Sequence, residues 1–478
     1  MAMKDWDKFS FDAVFGHEST GNSVEERART SNREFVRSQV QIAFSNDRAS
    51  GRKLSAREAL DNFGSNILLE LSEKNAVPLI LRQGEPGKTI RSRRNEMSLS
   101  VEELARVADV ELDRLIQFES GSSTLPFREI ERLSRSLVLD ESVIGYQPGS
   151  GGDPQLSVRF KEFFRGAGEG KGFLSSALIL RLSEAAWVVK KQLSLQAKLG
   201  VNQLSAIRDL GINPSNDYKY PAYRKGYSLA SETRRLLGLD DIEPIQSLAE
   251  LVENKLCIPV VQSDFSQRFA GATVAPSDTG RGIILNTNGL NSNVWVRRTT
   301  LAHELGHLLW DPDHRLNKFV VDEYDDFNRA VDSQGSQYDE VEARANAFAA
   351  ELLAPAEGVK EIFSSQYKLE DGIRAVMEHY GVGFITARWQ LVNAKLLRAD
   401  QRISQIDWGH TQDWVVNEEA FLSYPFVDSI PESRRGRFME IVIDCAEEKI
   451  ISNDSAAFCL SCSVSEFIAK RDVLMSMR

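Results

Sequence analysis

Residues 300–310 read TLAHELGHLLW, and within them stands His303-Glu304-Leu305-Gly306-His307. On an α-helix, residues four apart share a face, so His303 and His307 can grip one ion. Imidazole nitrogen suits Zn2+, and two histidines supply two of its usual protein ligands. Glu304 falls about 100° round the helix from His303, beside the metal rather than on it. From there a carboxylate can take a proton from water at the metal. Leu301, Leu305, Leu308 and Leu309 gather on the opposite side, which reads as buried core.

A catalytic zinc wants a third protein ligand and an open position. Downstream, residues 338–355 read YDEVEARANAFAAELLAP, an alanine-rich helix that stops before Pro355. Glu342 and Asn346 are four apart on one face. Glu342 can complete the site, and Asn346 can orient a histidine ligand from behind. Ala345 and Ala349 lie beside that face and permit close approach of the two helices. Glu340 is a weaker candidate that points to another side. A site with three histidines would read H-E-x-x-H-x-x-G-x-x-H. Here Trp310 stands in place of the glycine, Asp313 in place of the last histidine, and His314 is one residue out of register. Glu342 is therefore preferred, Asp313 is kept as an alternative, and His314 reads as a surface residue.

Together the two segments resemble the ImmA/IrrE family of zinc metallopeptidases. The resemblance rests on T-L-A-H-E-L-G-H-L-L at 300–309 and E-x-x-A-N-x-F-A-x-E-L-L-x-P at 342–355. It extends upstream through ASETRRLLGL at 230–239, ELVENKLCIPVV at 250–261 and ILNTNGL at 284–290. It covers about Gly226 to Leu397, a little over a third of the chain. The resemblance implies that His303, His307 and Glu342 bind zinc and that Glu304 is the catalytic base. It also implies an intracellular protein of a kind that often acts on transcriptional repressors. The segment between His307 and Glu342 departs from the family in being enlarged and acidic.

The chain has 478 residues, enough for several domains with ample core. The fold class expected is mainly α with a small β-sheet. The divisions expected are a helical N-terminal region at 1–75, a helix-turn-helix-like domain at 76–146, and a linker and helical connector at 147–225. A metallopeptidase domain at 226–400 and a helical C-terminal domain at 401–478 complete them. No run approaches the roughly 18 apolar residues of a membrane span. The first residues lack the apolar centre of a signal peptide. Cys257, Cys445, Cys459 and Cys462 form no disulfide framework, so a reduced, cytoplasmic protein is expected. A net charge of −11 argues against indiscriminate binding of DNA by the whole molecule, though not against a local basic face.

Within 1–75, Arg27, Arg29, Arg33 and Arg37, followed by Arg48, Arg52, Lys53 and Arg57, read as a solvated helix face, with a basic patch as the alternative. Ser100-Val-Glu-Glu is a capping box opening a helix through Ala108. A turn at Asp109-Val110 leads to a second helix through Gly121, and a third spans Arg128 to Leu137. This spacing resembles the Cro/repressor-type helix-turn-helix, in which the second helix enters the major groove. Its chemistry is poor for that task, because the helix opens with Asp109, Glu111 and Asp113. From Lys88 to Asp140 there are nine Lys/Arg and ten Asp/Glu, a net of −1. Arg91, Arg93 and Arg94 are the best remaining phosphate candidates, with Arg114 and Gln117 as further contacts to nucleic acid or a partner.

QPGSGGDP at 147–154 is the clearest linker. The glycine-rich RGAGEGKG at 165–172 lacks a phosphate-loop pattern and reads as a turn, and Leu174 to Leu199 as a long helix. Within the metallopeptidase segment, a helix at about 229–238 precedes short strands at 257–261, 272–275 and 283–286. A sheet edge beside the metal helix could hold an extended substrate backbone. The acidic stretch 311–340 reads as a surface insert, or alternatively as a lid or exosite for basic substrates. In the tail, Arg434 to Lys449 is one helix and Ile451 to Phe467 a helical hairpin. Its Cys459-Leu-Ser-Cys462 lacks the second pair that a zinc site needs.

Two functional readings follow. The first is an intracellular regulatory zinc endopeptidase that cuts a specific protein partner, such as a transcriptional repressor, in a stress, mobile-element or defence response. The second is a DNA-binding regulator or antitoxin-like protein whose metal site is structural or sensory. The acidic second helix and the intact Glu304 favour the first.

Overall fold

Within the first eighty positions, four runs of three or four residues pair as strands. The computed structural model describes residues 6–46, 50–146, 176–203, 207, 209–212, 222–265, 269–274, 280–311, 320–323, 337–365, 368–404, 406, 412–419 and 429–476. The chain is mainly α-helical with a small β component, as the sequence predicts. It forms two units, Met1–Gly200 together with Pro425–Arg478, and Val201–Tyr424. Among the described residues no helix is long and apolar enough to cross a membrane.

The first unit opens with α1 (Lys8–Phe15), α2 (Val24–Thr30), β1 (Glu34–Arg37), β2 (Gln41–Phe44), β3 (Arg52–Ser55), α3 (Ala56–Glu73) and β4 (Ala76–Pro78). The strands make an antiparallel sheet in the order β3-β1-β2-β4. Phe15, Phe35, Ile42, Leu54 and Phe63 share its core. This corrects the expectation of a helical region at 1–75, which holds three strands beside its helices. The arginines that resemble a solvated helix face are largely consumed inside the fold. Arg33 donates to the Ala13 carbonyl at 2.8 Å, and Arg37 is buried and donates to the Ile144 carbonyl at 2.6 Å. Arg52 is buried against Glu131 at 2.8 Å. A buried cation is tolerated only when paired in this way.

Four helices follow: α4 (Gly87–Glu96), α5 (Val101–Ala108), α6 (Leu112–Ser120) and α7 (Phe127–Ser136). Ser100 and Glu103 make both bonds of the capping box at the start of α5, worth about 1 kcal/mol. Asp109 ends α5 in the left-handed conformation, φ 51°. The fold withdraws two of the phosphate candidates. Arg93 is buried and donates to the Leu137 carbonyl at 3.1 Å, and Arg94 clamps both oxygens of Glu119 at 2.8 and 2.7 Å. Arg114 reaches Glu129 at 3.1 Å, whereas Arg91 and Gln117 are exposed. The helix α8 (Ser176–Lys198) runs close to its expected span. The linker at 147–154 and the glycine-rich 165–172 lie outside the described residues.

The second unit contains α9 (Ala222–Leu236), β5 (Val260–Ser263), β6 (Phe269–Val274), β7 (Gly282–Asn286), α10 (Val294–Trp310), β8 (Val320–Glu323) and α11 (Gln337–Leu353). Then come α12 (Ala356–Ser364), α13 (Leu369–Tyr380), α14 (Phe384–Asn393) and α15 (Gln412–Glu419). The sheet order is β5-β7-β6-β8, with β5 and β7 parallel and the other pairs antiparallel. Trp295, Leu301, Leu305, Leu308, Phe348 and Leu352 belong to one continuous core. Arg298 of α10 is buried against Glu418 of α15, whose carboxylate also accepts from the Leu248 amide at 2.7 Å. Trp414 stacks on that guanidinium, 4.3 Å from the ring centre.

The chain ends in α16 (Arg437–Glu447), α17 (Asn453–Leu460) and α18 (Val464–Ser476), which belong to the first unit. Asp454 accepts from the Lys53 amide at 2.8 Å, and Ser455 donates to Glu58 at 2.6 Å. Cys459 is a free, buried thiol, pushed up to about 11 by burial and the nearby Glu141 charge, against which Lys191 pulls down.

Candidate metal centre

The sequence places two histidines and a glutamate on separate helices, and the fold brings them to one point. α10 is capped by Asn293, whose side chain accepts from the Trp295 amide, and it is buried on nearly every side. The apolar face carrying Leu301, Leu305, Leu308 and Leu309 is core, as expected. The opposite face is buried as well, because the sheet and α11 cover it. His303, Glu304 and His307 are 1, 0 and 5% exposed. Such burial strengthens every electrostatic interaction there.

The Nε2 atoms of His303 and His307 lie 3.0 Å apart. Glu342 Oε2 is 3.2 Å from the first and 3.5 Å from the second. A tetrahedral divalent ion with bonds of about 2.1 Å has ligand–ligand edges of about 3.4 Å. The three observed edges fit that triangle. The backs of both rings face acceptors: His303 Nδ1 meets Asn346 Oδ1 at 2.8 Å, and His307 Nδ1 meets Asp311 Oδ2 at 3.0 Å. An imidazole that donates through Nδ1 presents its Nε2 lone pair. Two lone pairs and a carboxylate oxygen then converge, an arrangement that only a cation or added protons can stabilise. Burial pushes the Glu342 carboxyl upward. Where added protons play the cation's part, the His307 charge and the bonds from both histidines outweigh it and hold this carboxyl well below the usual range. The donor set fits a metal ion.

Glu304 stands beside this triangle. Its Oε2 accepts from Thr273 Oγ1 of β6 at 2.8 Å. Gly271, two residues earlier on the same strand, leaves room for it: a Cβ there would lie 2.7 Å from Glu304 Oε1. Behind the site, Asn291 binds strand to helix. It accepts from Thr300 Oγ1 at 2.9 Å and donates to the Ala270 carbonyl at 2.9 Å. Arg344 of α11 pairs with the remaining oxygen of Asp311. One chain of contacts thus runs from α11 through Arg344 and Asp311 to His307.

All five principal residues of the sequence reading meet here: His303, Glu304, His307, Glu342 and Asn346. Glu340 is exposed on α11 and stays out of the triangle. Asp313 and His314 lie outside the described residues, as does most of the acidic stretch 311–340. Sequence reasoning missed Thr273, Arg344 and the role of Asp311. The last carried a signal, since it follows His307 by four residues at the helix end.

Residues 265–391 match the Peptidase M78 family model, described as the IrrE N-terminal-like domain. The match spans β6 through most of α14 and takes in both ligand-bearing helices. It supports the ImmA/IrrE resemblance and a peptidase in this segment. No curated protein matches the chain.

Proposed function

We propose that this chain is a regulatory zinc-dependent endopeptidase acting on a specific protein partner, such as a transcriptional repressor. The observation that supports it most is the convergence of His303 Nε2, His307 Nε2 and Glu342 Oε2 beside the buried carboxylate of Glu304. Zn2+ held by those three side chains would supply Lewis-acid polarisation of a peptide carbonyl and a lowered pKa for water. The chain's own residues do the rest. Asn346 and Asp311 fix the histidine rings, so both Nε2 lone pairs stay aimed inward. Thr273 holds Glu304 by one oxygen and leaves the carboxylate positioned as general base. Glu304 takes a proton from the attacking water and delivers it to the leaving amine nitrogen.

Helices α4 to α7 keep their helix-turn-helix-like reading within this proposal, as a partner-recognition surface rather than a reader of bases. Two of its arginines are withdrawn into internal contacts, and α6 begins with acidic side chains. The experiment is co-expression of the wild type and Glu304→Gln with each neighbouring gene product, with mass spectrometry for new termini. Glu304→Gln keeps size and hydrogen bonding but removes the base. It is expected to retain zinc and partner binding and to lose cleavage by at least about 100-fold. Undiminished biological activity in Glu304→Gln would leave the site structural and transfer the function to a metal-sensing regulator.

A further inference from the structure

The strand that holds Glu304 is also the strand to which β8 adds. Gly271 and Thr273 of β6 touch or crowd Glu304, and opposite them in antiparallel register stand Asp322 and Val320. One edge of β6 is taken by β7 and the other by β8. Neighbouring strands run about 4.8 Å apart, so the β8 backbone passes one strand spacing from the residues that line the general base. An extended peptide joining the sheet beside Glu304 needs that same edge, because the β7 edge is interior.

We propose that the outer edge of β6, Phe269–Val274, is the docking strand for an extended protein segment, and that β8 is the chain's own occupant of it, displaced when substrate binds. The inference rests on the peptidase reading of the site. Two observations support exchange rather than permanent closure. β8 is only four residues long. Its ladder with β6 is interrupted by a register shift between Phe269 and Gly271, while the β6–β7 ladder runs unbroken over four pairs. An interrupted, short ladder opens more easily than a continuous one. In addition, β8 lies in the chain between α10 and α11, the two helices that supply the metal triangle. That tether holds it at high effective concentration against any free peptide.

Exchange requires no covalent step. Backbone bonds from β8 to β6 are replaced by those of the incoming segment. A generic peptide therefore gains little, because the edge it seeks is already satisfied. A true substrate must bring further contacts and a segment able to become extended, such as a loop or an unfolded stretch, in place of a helix.

The test uses the full-length chain with Val320–Glu323 replaced by Gly-Ser-Gly-Ser, beside the wild type. Both are also made in a Glu304→Gln background. Hydrogen exchange of β6 amides is expected to quicken at least about tenfold in the replaced variant, with β7 as internal control. A synthetic peptide with the sequence of residues 318–325, in excess, is expected to restore protection there and to bind the wild type more weakly. With Glu304 intact, kcat/KM on a quenched library of extended peptides is expected to rise at least about tenfold. Val321→Pro, which places a residue unfavourable to strand pairing within the ladder, provides the same comparison if the replacement fails to fold. Unchanged β6 exchange, or equal peptide binding by variant and wild type, overturns the proposal. Faster exchange and restored protection, with no hydrolysis by any protein, upholds the edge exchange and removes the peptidase reading instead.

Discussion

His307 Nδ1 meets the Asp311 carboxylate, which pairs with Arg344, whereas His303 Nδ1 meets the neutral amide of Asn346. The two supports differ in what their loss leaves behind. Asn346→Ala removes a neutral hydrogen bond at a half-buried position. It is expected to weaken zinc binding about 10- to 100-fold while costing only about 1 kcal/mol of stability. Asp311→Ala removes a buried anion from beside the Arg344 guanidinium, which is 5% exposed. It is expected to weaken zinc similarly and to cost about 3–5 kcal/mol in addition. Competition against a chromophoric chelator, paired with urea unfolding, separates the two, and equal stability losses would contradict this account. The histidine pair, Glu342 and Asn346 were legible because helical spacing fixes which side chains share a face. Thr273 was not legible, because its role depends on how β6 is set against α10, a tertiary fact with no local signature.

At the scale of elements, the metal triangle depends on how closely α10 and α11 approach. Gly306 sits at that crossing: a Cβ there would lie 2.8 Å from the ring of Phe348 and 3.5 Å from its Cβ. Phe348 is buried and has little room to yield. Gly306→Ala is therefore expected to push the helices apart, cost about 1–3 kcal/mol, and weaken zinc binding by spreading the histidines from Glu342. Thermal unfolding with and without zinc checks it, and an unchanged zinc-dependent rise in Tm would show that the crossing tolerates a methyl group. The motif offered Gly306 as an unspecified position, so its packing role became visible only with Phe348 in place. The sequence located α5, α6 and α10 well, since capping boxes and apolar periodicity are local. It missed β1, β2 and β3 because strands of four residues are too short to declare a period of two. Their arginines also imitate a solvated helix until Glu131 and the backbone carbonyls that receive them are known.

At the scale of the whole molecule, the first unit is assembled from both ends of the chain, and buried charges meet within it. Glu141 accepts from Lys191 Nζ at 2.7 Å and from Trp187 Nε1 at 3.1 Å, while Arg37 donates to its backbone carbonyl at 3.2 Å. Burial pushes the Glu141 carboxyl upward, but the Lys191 charge and its hydrogen bond outweigh that and lower it from 4.5 to about 2. Burial opposes the Lys191 charge, yet Glu141 raises its pKa overall, so both partners favour the ion pair. A carboxyl whose folded pKa lies below its unfolded value stabilises the fold above the unfolded value, and that contribution is lost as pH falls through the folded one. The window here runs from about pH 4.5 down to about pH 2. Glu58 and Glu131 act in the opposite direction, because burial raises theirs. The acid profile of the wild type alone mixes these effects, but its difference from Glu141→Gln isolates one. At pH 7 the variant is expected to be less stable by about 3–5 kcal/mol, since Lys191 loses its buried counter-charge. Below pH 4.5 the gap should narrow, because the unfolded wild type then takes up a proton at Glu141 that the folded form does not accept until about pH 2. Urea unfolding followed by hydrogen exchange of α8 amides measures the gap for this unit. A gap that stays constant from pH 6 to pH 2.5 would mean that the charge of the Lys191–Glu141 pair does not stabilise this unit.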